Sequence, residues 1–271
     1  MIYSLNSATK FFLQRREQVQ ALNSVTLQVR PGEQIALLGQ SGAGKTTLFR
    51  LLNGTLRPSA GSVCFDGHDT ASLTGSGLRA MRRRVGTIYQ QHNLVPSLTA
   101  LENTLCGALG RMSLLRTLRS VFQATKTDSE LAMHALELVG LADKRASRAD
   151  ELSGGQQQRL AAARVLMQAP DVILADEPTA SLDPELAEAI TSLLAGLARD
   201  GRKTLIMAVH RVDLATRYFP RVAGLRAGGL SFDAPSSEVQ EDLLRTLYAR
   251  DNSPTGERDG DHFQYKLGCA R

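Results

Sequence analysis

The chain has 271 residues, of which 42% are hydrophobic and 22% are charged, with 23 glycines, 9 prolines and no tryptophan. This composition excludes collagen, a long coiled coil and an intrinsically disordered chain, and the length suits one large core or a core with a smaller subdomain. Lysine and arginine outnumber aspartate and glutamate, which gives a net charge of +5. Such a positive surplus is compatible with nucleic acid, a phosphate ligand or an anionic lipid as a partner, and it does not distinguish among them.

No segment of the sequence predicts a transmembrane helix. Residues 85–101 lack Asp, Glu, Lys and Arg but contain polar residues and a proline, whereas a bilayer demands about 20 mostly apolar residues. The first ten residues lack the basic start and apolar centre of a secretory signal, which predicts a cytoplasmic location. Cys64, Cys106 and Cys269 match neither a metal-binding spacing nor an even disulfide set, so we expect thiols in a reducing compartment.

Short runs rich in Ile, Val and Leu alternate with helical patterns, which predicts buried parallel strands and an α/β core. The predicted strands are residues 35–38, 85–89, 172–175 and 205–209. One helix is predicted after Gly44, and another after Asp183, a capping residue followed by Pro184 and Glu185. The second helix is expected to bury a stripe formed by Leu186, Ile190, Leu193, Leu194 and Leu197.

Between residues 91 and 168 the strand pattern stops and helical patterns take over. Apolar residues at helical spacing include Leu114, Leu115, Leu118, Val121 and Phe122. We therefore predict a helical subdomain at 91–168, inserted between two parts of the core at 1–90 and 169–250. Residues 251–271 mix charge with proline and glycine, which predicts a flexible C-terminal tail.

Residues 39–46, GQSGAGKT, match the pattern G-x-x-x-x-G-K-[ST] of a phosphate-binding loop and lie between a predicted strand and helix. Backbone N–H groups of such a loop surround the β- and γ-phosphates, while Lys45 supplies positive charge and the Thr46 hydroxyl a ligand for Mg²⁺. The residues expected to bind the nucleotide here are Gly39, Gln40, Ser41, Gly42, Ala43, Gly44, Lys45, Thr46 and Thr47.

Asp176 and Glu177 follow the predicted strand 172–175. A carboxylate at the C-terminal end of a buried strand emerges beside the phosphate loop, so we expect Asp176 to hold Mg²⁺ through water. Glu177 is expected on the other side of the strand end, because strand side chains alternate, where it polarises the attacking water. Together the two motifs predict a nucleoside triphosphatase.

The sequence LSGGQ at residues 152–156, followed by a predicted helix, narrows the class further. With this motif the chain resembles the ATP-binding subunit of ABC transporters over nearly all of residues 1–250. The resemblance implies a P-loop NTPase cassette with a RecA-like core, an antiparallel β part and an inserted α-helical subdomain that carries the motif. It also implies that two copies pair, each ATP lying between one phosphate loop and the other copy's signature residues, Ser153, Gly154, Gly155 and Gln156.

Other positions match the family's motifs in chain order. Gln90 corresponds to a glutamine that contacts Mg²⁺ and water, Asp183 to the loop that connects the two ATP sites, and His210 to a histidine that contacts the γ-phosphate. Phe12, with Phe11 as the alternative, corresponds to the aromatic residue that stacks on adenine. The resemblance thus implies ATP as the ligand, with catalytic roles for Glu177, His210 and Gln90. Its implied Mg²⁺ ligands are Thr46, Gln90 and Asp176.

Residues 102–122, 172–184, 209–218 and 224–226 are similar to phosphonate-importer ATPases. This similarity implies an ATP-hydrolysing subunit at the cytoplasmic face of the cell inner membrane. The implied partners are two transmembrane permease subunits and a periplasmic or extracellular substrate-binding protein, with no nucleic acid. Leu114 and Leu115 depart from the aromatic residues that often precede the position of Arg116 in that group, which leaves phosphite or another oxyanion open as cargo.

Two further functions are compatible with the cassette. An exporter or lipoprotein-release ATPase would keep the chemistry and reverse the cargo direction, although the insertion at 102–122 argues against it. A soluble ABC ATPase acting on nucleic acid or ribosomes would use the positive charge, but the chain has one cassette and no sustained heptads. The basic residues of the insertion suit a solvated helix face, and a second hypothesis is that Arg116 and Arg119 approach the membrane subunit or anionic headgroups.

Overall fold

A computed structural model describes residues 1–14, 17–91, 93–111, 125–180 and 182–249. Several sequence predictions therefore lie outside the described residues: the helical stripe at Leu114–Phe122, the basic pair Arg116 and Arg119, Cys269, and the tail at 251–271. Within the described residues, no helix is long and apolar enough to cross a bilayer. Cys64 and Cys106 are half-buried free thiols.

An antiparallel sheet forms one side of the protein, in the strand order β2-β1-β4-β5. Its strands are β1 (Tyr3–Gln14), β2 (Glu17–Val29), β4 (Ala60–Phe65) and β5 (His68–Asp69). In the second half of β2 buried residues are interspersed with exposed ones, because one face of the sheet meets solvent. Such strands lack a continuous apolar run, which is why the residue pattern did not single them out.

A six-stranded sheet in the order β10-β9-β3-β8-β7-β6 forms the centre of the core. Its strands are β3 (Gln34–Leu38), β6 (Val85–Ile88), β7 (Val172–Ala175), β8 (Thr204–Ala208), β9 (Arg221–Arg226) and β10 (Gly229–Pro235). All pairs are parallel except β9 with β10. Every residue of β3, β7 and β8 is buried. The four predicted strands are confirmed, with Tyr89 and Val209 lying just beyond their ends.

Eight α-helices lie in the described part of the chain. They are α1 (Lys45–Leu52), α2 (Gly75–Arg84), α3 (Ala100–Cys106), α4 (Lys126–Leu138), α5 (Gly154–Gln168), α6 (Pro184–Asp200), α7 (Val212–Tyr218) and α8 (Glu241–Tyr248). Between β6 and β7 the described residues contain α3, α4 and α5 and no strand. This agrees with the helical pattern at 91–168. The three helices pack on one another.

Helix α6 begins as the sequence predicts: Asp183 is its N-cap, accepting a hydrogen bond from Leu186 N at 3.0 Å, and Pro184 is its first residue. Its buried face differs from the predicted stripe. The buried residues are Ala187, Ile190, Thr191, Leu194, Ala195 and Ala198. Leu193 and Leu197 are only half-buried. The predicted stripe is thus partly wrong: Ile190 and Leu194 are buried as expected, but small residues on the same face share the burial.

Candidate nucleotide-binding site

The predicted site residues meet at one edge of the six-stranded sheet. Strand β3 ends at Leu38, before the phosphate loop at residues 39–46, while β7 ends before Asp176 and β8 shortly before His210. Because β3, β8 and β7 are neighbouring parallel strands, their carboxyl ends lie side by side. The crevice beyond the carboxyl ends of such strands is the usual place for a ligand in an open α/β sheet.

The phosphate loop is held between β2 and β9. Gly44, the N-cap of α1, has a φ of +104°, and a Cβ there would lie 2.6 Å from Ala21 O. A Cβ on Gly39 would lie 2.5 Å from Leu225 O. Only glycine fits these two positions, so the backbone approaches its neighbours closely and keeps its shape. The first N–H groups of α1, which have no partner within the helix, are directed at the loop and suit phosphate oxygens.

Lys45 is almost fully buried, with 3% of its surface exposed. Its ammonium donates hydrogen bonds to Gly39 O at 2.7 Å and Gln40 O at 2.9 Å. The Glu177 carboxylate, 3.0 Å from Lys45 Nζ, supplies the opposite charge. A buried ammonium needs such a partner, because an isolated charge is costly to remove from water. The positive charge of the phosphate loop is therefore held in a fixed place.

Glu177 joins Lys45 to His210, whose Nε2 lies 2.8 Å from the second carboxylate oxygen. The hydrogen bond from His210, assisted by the charge of Lys45, lowers the pKa of Glu177 to about 2, although burial acts in the other direction. Glu177 is therefore ionised at neutral pH. Its φ of +50° is left-handed rather than extended. The explanation by strand alternation is thus wrong, because β7 ends at Ala175 and the backbone at Glu177 turns instead of continuing the pleat.

Asp176 and Thr46 form a second, oxygen-rich part of the site. Thr46 Oγ1 donates to Asp176 Oδ1 at 3.4 Å, and only 7% of Asp176 is exposed. Burial raises the pKa of Asp176, an effect that the Thr46 hydrogen bond partly offsets. Among the described residues Asp176 forms no ion pair with a side chain. A buried carboxylate next to a hydroxyl is a donor set that fits Mg²⁺, a hard cation that prefers oxygen ligands.

The signature residues lie apart from this cluster. Ser153 is the N-cap of α5 and forms a reciprocal pair with Gln156: Gln156 N donates to Ser153 Oγ at 3.3 Å and Ser153 N donates to Gln156 Oε1 at 2.9 Å. Ser153 and Gly154 are exposed, whereas Gly155 is buried. Within the ranges that the structure describes, no hydrogen bond or ion pair joins residues 153–156 to the phosphate loop. The start of α5 thus presents N–H groups to solvent.

The remaining predicted residues occupy the surroundings of the site. Gln90 is exposed and follows Ile88, whose carbonyl accepts a hydrogen bond from Asp176 N at 2.9 Å, so it belongs to the same sheet edge. Asp183 is exposed at the start of α6. Phe11 and Phe12 are both half-buried on β1, and the Lys10 ammonium lies 5.5 Å from the centre of the Phe12 ring. The adenine contact of Phe12 stays a prediction.

Two supports of the phosphate loop have no counterpart in the sequence motifs. The side-chain amide of Gln40 donates to Tyr248 O at 3.3 Å, which connects the loop to the end of α8. Gly228 N donates to Ala43 O at 3.0 Å, which connects it to the turn after β9. Both contacts span more than 180 residues of sequence, and no local motif marks Tyr248 or Gly228. The support of the phosphate loop by the C-terminal part of the chain is therefore visible only in the folded structure.

Comparison with known proteins agrees with this architecture. The family model "ABC transporter" matches residues 22–180. The phosphonates import ATP-binding protein PhnC of Alcaligenes faecalis is 44% identical over 232 residues, covering 86% of this chain and 83% of that protein. PhnC of Pseudomonas fluorescens is 42% identical over 240 residues, covering 89% and 90%.

A solved structure agrees as well. The dimeric ATP-binding cassette MJ0796, in a post-hydrolysis state bound to ADP and Pi, superposes with a TM-score of 0.74 at 32% identity. The match covers 86% of this chain and 98% of that one. The fold, with its antiparallel sheet and its mostly parallel sheet, therefore has a counterpart in a solved ATP-binding cassette. The chain belongs to the ABC transporter family, as an ATP-binding cassette protein.

Proposed function

We propose that this chain is the ATP-hydrolysing subunit of an ABC importer for phosphonates. The observation that carries the proposal is the cluster of Lys45, Glu177 and His210 at the phosphate loop, which provides a fixed positive charge beside an ionised carboxylate. The names shared by relatives that match along most of both chains support phosphonate as the cargo.

In this proposal the phosphate loop binds ATP and Lys45 pairs with its phosphate oxygens. Lys45 then exchanges one anionic partner, Glu177, for another, and the released Glu177 carboxylate accepts a proton from the attacking water. The water oxygen bonds to the γ-phosphorus while the bond from that phosphorus to the bridging oxygen breaks, so ADP leaves with the electron pair. His210, in contact with Glu177, keeps the carboxylate oriented. Thr46, Asp176 and Gln90 would hold Mg²⁺. When bound, the ion neutralises phosphate charge and orients the phosphate oxygens.

The exposed start of α5 supports pairing of two copies. Its N–H groups and the Ser153 hydroxyl form an anion-binding helix end that faces outward, and within the described residues it makes no hydrogen bond to the phosphate loop of its own chain. Two identical chains, arranged head to tail about a two-fold axis, place each signature over the other's nucleotide. The dimeric form of MJ0796 supports this arrangement.

A basic cavity supports a separate permease partner. The cavity, of about 550 Å³, lies between α2, β6, α3 and α5, away from the phosphate loop. Four arginines line it: Arg79, Arg82, Arg83 and Arg164. None of the described residues that line it is acidic. This charge suits a polar, acidic segment of the permease, which would hold the cassette at the membrane while a binding protein delivers solute outside.

Transport by the whole assembly tests the proposal. The chain, its permease and its binding protein are reconstituted in vesicles with ATP inside or outside, and uptake of methylphosphonate, phosphite, phosphate and sulfate is compared. We expect ATP-dependent uptake of methylphosphonate, which the matched assembly with Glu177→Gln abolishes. Uptake of phosphite or sulfate without methylphosphonate would contradict the cargo, and uptake that Glu177→Gln leaves intact would contradict the role of the chain.

A further inference from the structure

Arg211, the residue after His210, is the N-cap of α7 and contacts the start of α6. We propose that Arg211 is a positioning residue for ATP hydrolysis, which holds His210 against Glu177 by fastening the start of α7 to the start of α6. The inference rests on the proposed ATP hydrolysis. Within the described part of the chain, the hydrogen bonds of Arg211 reach neither the phosphate loop nor Glu177.

The guanidinium of Arg211 is fixed at three points. Its Nε donates to Asp213 Oδ1 at 3.1 Å and its Nη2 to Asp213 Oδ2, a fork that sets the plane of the group. Its Nη1 donates to Pro184 O at 3.1 Å. The bond with Asp213 is the main reason why the pKa of Asp213 is lowered. Asp213 therefore orients Arg211, and Arg211 reaches across to α6.

His210 lies between two anchors. On one side Val209 is buried, and its N–H donates to Leu37 O at 3.1 Å, which fixes the chain to β3. On the other side Arg211 is fixed to Pro184 O. The His210 side chain itself is 42% exposed, so surrounding packing alone does not hold the ring. Loss of the second anchor would let the ring move away from Glu177 while the strand side stays in place.

The start of α6 is a firm support because it packs on the signature helix. Leu186, in the first turn of α6, contacts Gly155 so closely that a Cβ there would lie 2.3 Å from Leu186 Cδ2. The contacts thus run from the signature through α6 and Arg211 to His210. A shift of the signature helix, which serves the other copy's ATP in the proposed dimer, would reach His210 of its own site through Arg211.

A control residue on the same helix separates the positioning role of Arg211 from a role in which it merely docks α7 on α6. Farther along α7, Arg217 Nη1 lies 2.5 Å from Glu188 Oε1 on α6, and Tyr218 OH donates to the same oxygen at 2.9 Å. Leu214 and Ala215 are the buried residues of α7. Arg217 therefore shares with Arg211 its residue type, its helix and its partner helix, but it lies two turns from His210. It is a matched control.

The test compares steady-state ATP hydrolysis by the wild type with that of Arg211→Ala, Arg211→Lys and Arg217→Ala. For Arg211→Ala we expect kcat to fall about tenfold with KM for ATP and Tm little changed, since an error of about 1 Å in a reacting group costs up to about 100-fold. The kcat of Arg211→Lys should lie between those of the wild type and Arg211→Ala, because a single ammonium cannot bind Asp213 and Pro184 O at the same time as the guanidinium does. Arg217→Ala should keep the wild-type kcat.

The proposal is overturned if Arg211→Ala turns over ATP like the wild type, or if Arg217→Ala loses as much kcat as Arg211→Ala. Should Arg211→Ala fail to fold, Arg211→Lys decides: a several-fold lower kcat at unchanged KM supports the positioning role, and a wild-type kcat contradicts it. The readout is ATP turnover alone, which the wild type shows whatever its cargo. An error in the cargo proposal therefore leaves this result unaffected.

Discussion

The phosphate-loop cluster (Lys45, Glu177 and His210) and the signature turn (residues 153–156) both suit an anionic phosphate, but the first contains a buried lysine and the second faces solvent. Both present N–H groups at the start of a helix, α1 or α5. In the first, buried Lys45 pairs with Glu177, which follows β7, and Glu177 in turn contacts His210, which follows β8. In the second, the contacts of Ser153 are local and the turn faces solvent. The phosphate-loop cluster is therefore a preformed phosphate-binding cradle, and the signature turn offers hydrogen-bond donors to a partner outside its own chain.

The difference has a physical origin. The signature turn needs only a serine and a glutamine three residues apart to satisfy its own backbone, so it forms without a tertiary partner in front of it. Behind it, Gly155 and Leu186 fix the helix to the core. The phosphate cluster instead depends on opposite charges buried together, which are costly when separated. In the proposed dimer, a complete site forms where the signature turn of one chain meets the phosphate-loop cluster of the other.

The substitution Glu177→Gln tests the catalytic role of the phosphate-loop cluster, and its effect on kcat is the largest that we expect. The amide cannot accept the proton of water, so kcat should fall about 100- to 10,000-fold while ATP affinity is retained. Turnover at saturating ATP and binding of a fluorescent ATP analogue measure the two quantities. Glu185→Gln, an exposed acid at the start of α6, is the control that should keep its kcat. Near-normal turnover of Glu177→Gln would remove Glu177 from its proposed role.

Lys45→Ala should act on binding rather than on the chemical step. Its ammonium is the buried positive charge of the phosphate loop, so we expect ATP affinity to fall about 100-fold. Isothermal titration with ATP measures the change. Lys126→Ala provides the control, since that side chain is 92% exposed on α4. Wild-type affinity in Lys45→Ala would contradict the assignment of the cradle.

Acid unfolding tests the charge cluster with a smaller effect. The pKa of Glu177 is about 2 in the folded chain, against 4.5 for an unperturbed glutamate, so the unfolded state binds the proton first as pH falls. Glu177 therefore stabilises the fold above pH 4.5 and loses most of this contribution, about 3 kcal/mol, as the pH falls from 4.5 to 2. Asp176, whose pKa is raised, acts in the opposite direction.

Urea unfolding of the wild type and Glu177→Gln at pH 5 and pH 3 isolates the contribution of Glu177. The variant should lose less free energy of unfolding between the two pH values than the wild type does. Equal losses in the two chains would mean that the bonds to Lys45 and His210 do not lower this pKa.

The parts that the sequence predicts well are those that local patterns determine. Buried parallel strands have unbroken apolar runs, and Asp183 followed by Pro184 marks the start of α6. The family motifs predict Lys45, Glu177 and His210 in one site, and the fold brings these three together.

Other features depend on contacts between distant residues and left no local signal. The left-handed backbone at Glu177 follows from its surroundings, not from its residue type. Tyr248 supports Gln40, and Arg211 reaches Pro184, only because separate elements fold together. The buried face of α6 combines Ile190 and Leu194 with small side chains such as Ala195, a combination that apolar periodicity alone does not indicate.

The central claim is that ATP is hydrolysed where the phosphate loop of one copy meets the signature of another. Mixing two inactive variants tests it directly: Lys45→Ala removes the cradle, and Ser153→Arg blocks the signature. In a mixed dimer one site has both defects and the other has neither. About half of randomly paired dimers are mixed, and each has one intact site of two, so up to about a quarter of wild-type turnover should return.

The matched control is a mixture of Lys45→Ala with Glu177→Gln, whose defects both lie in the cradle, so every site in every dimer stays defective. We predict turnover from the first mixture and none from the second. No recovery in the first mixture, or full turnover by Ser153→Arg alone, would contradict a site shared between two chains.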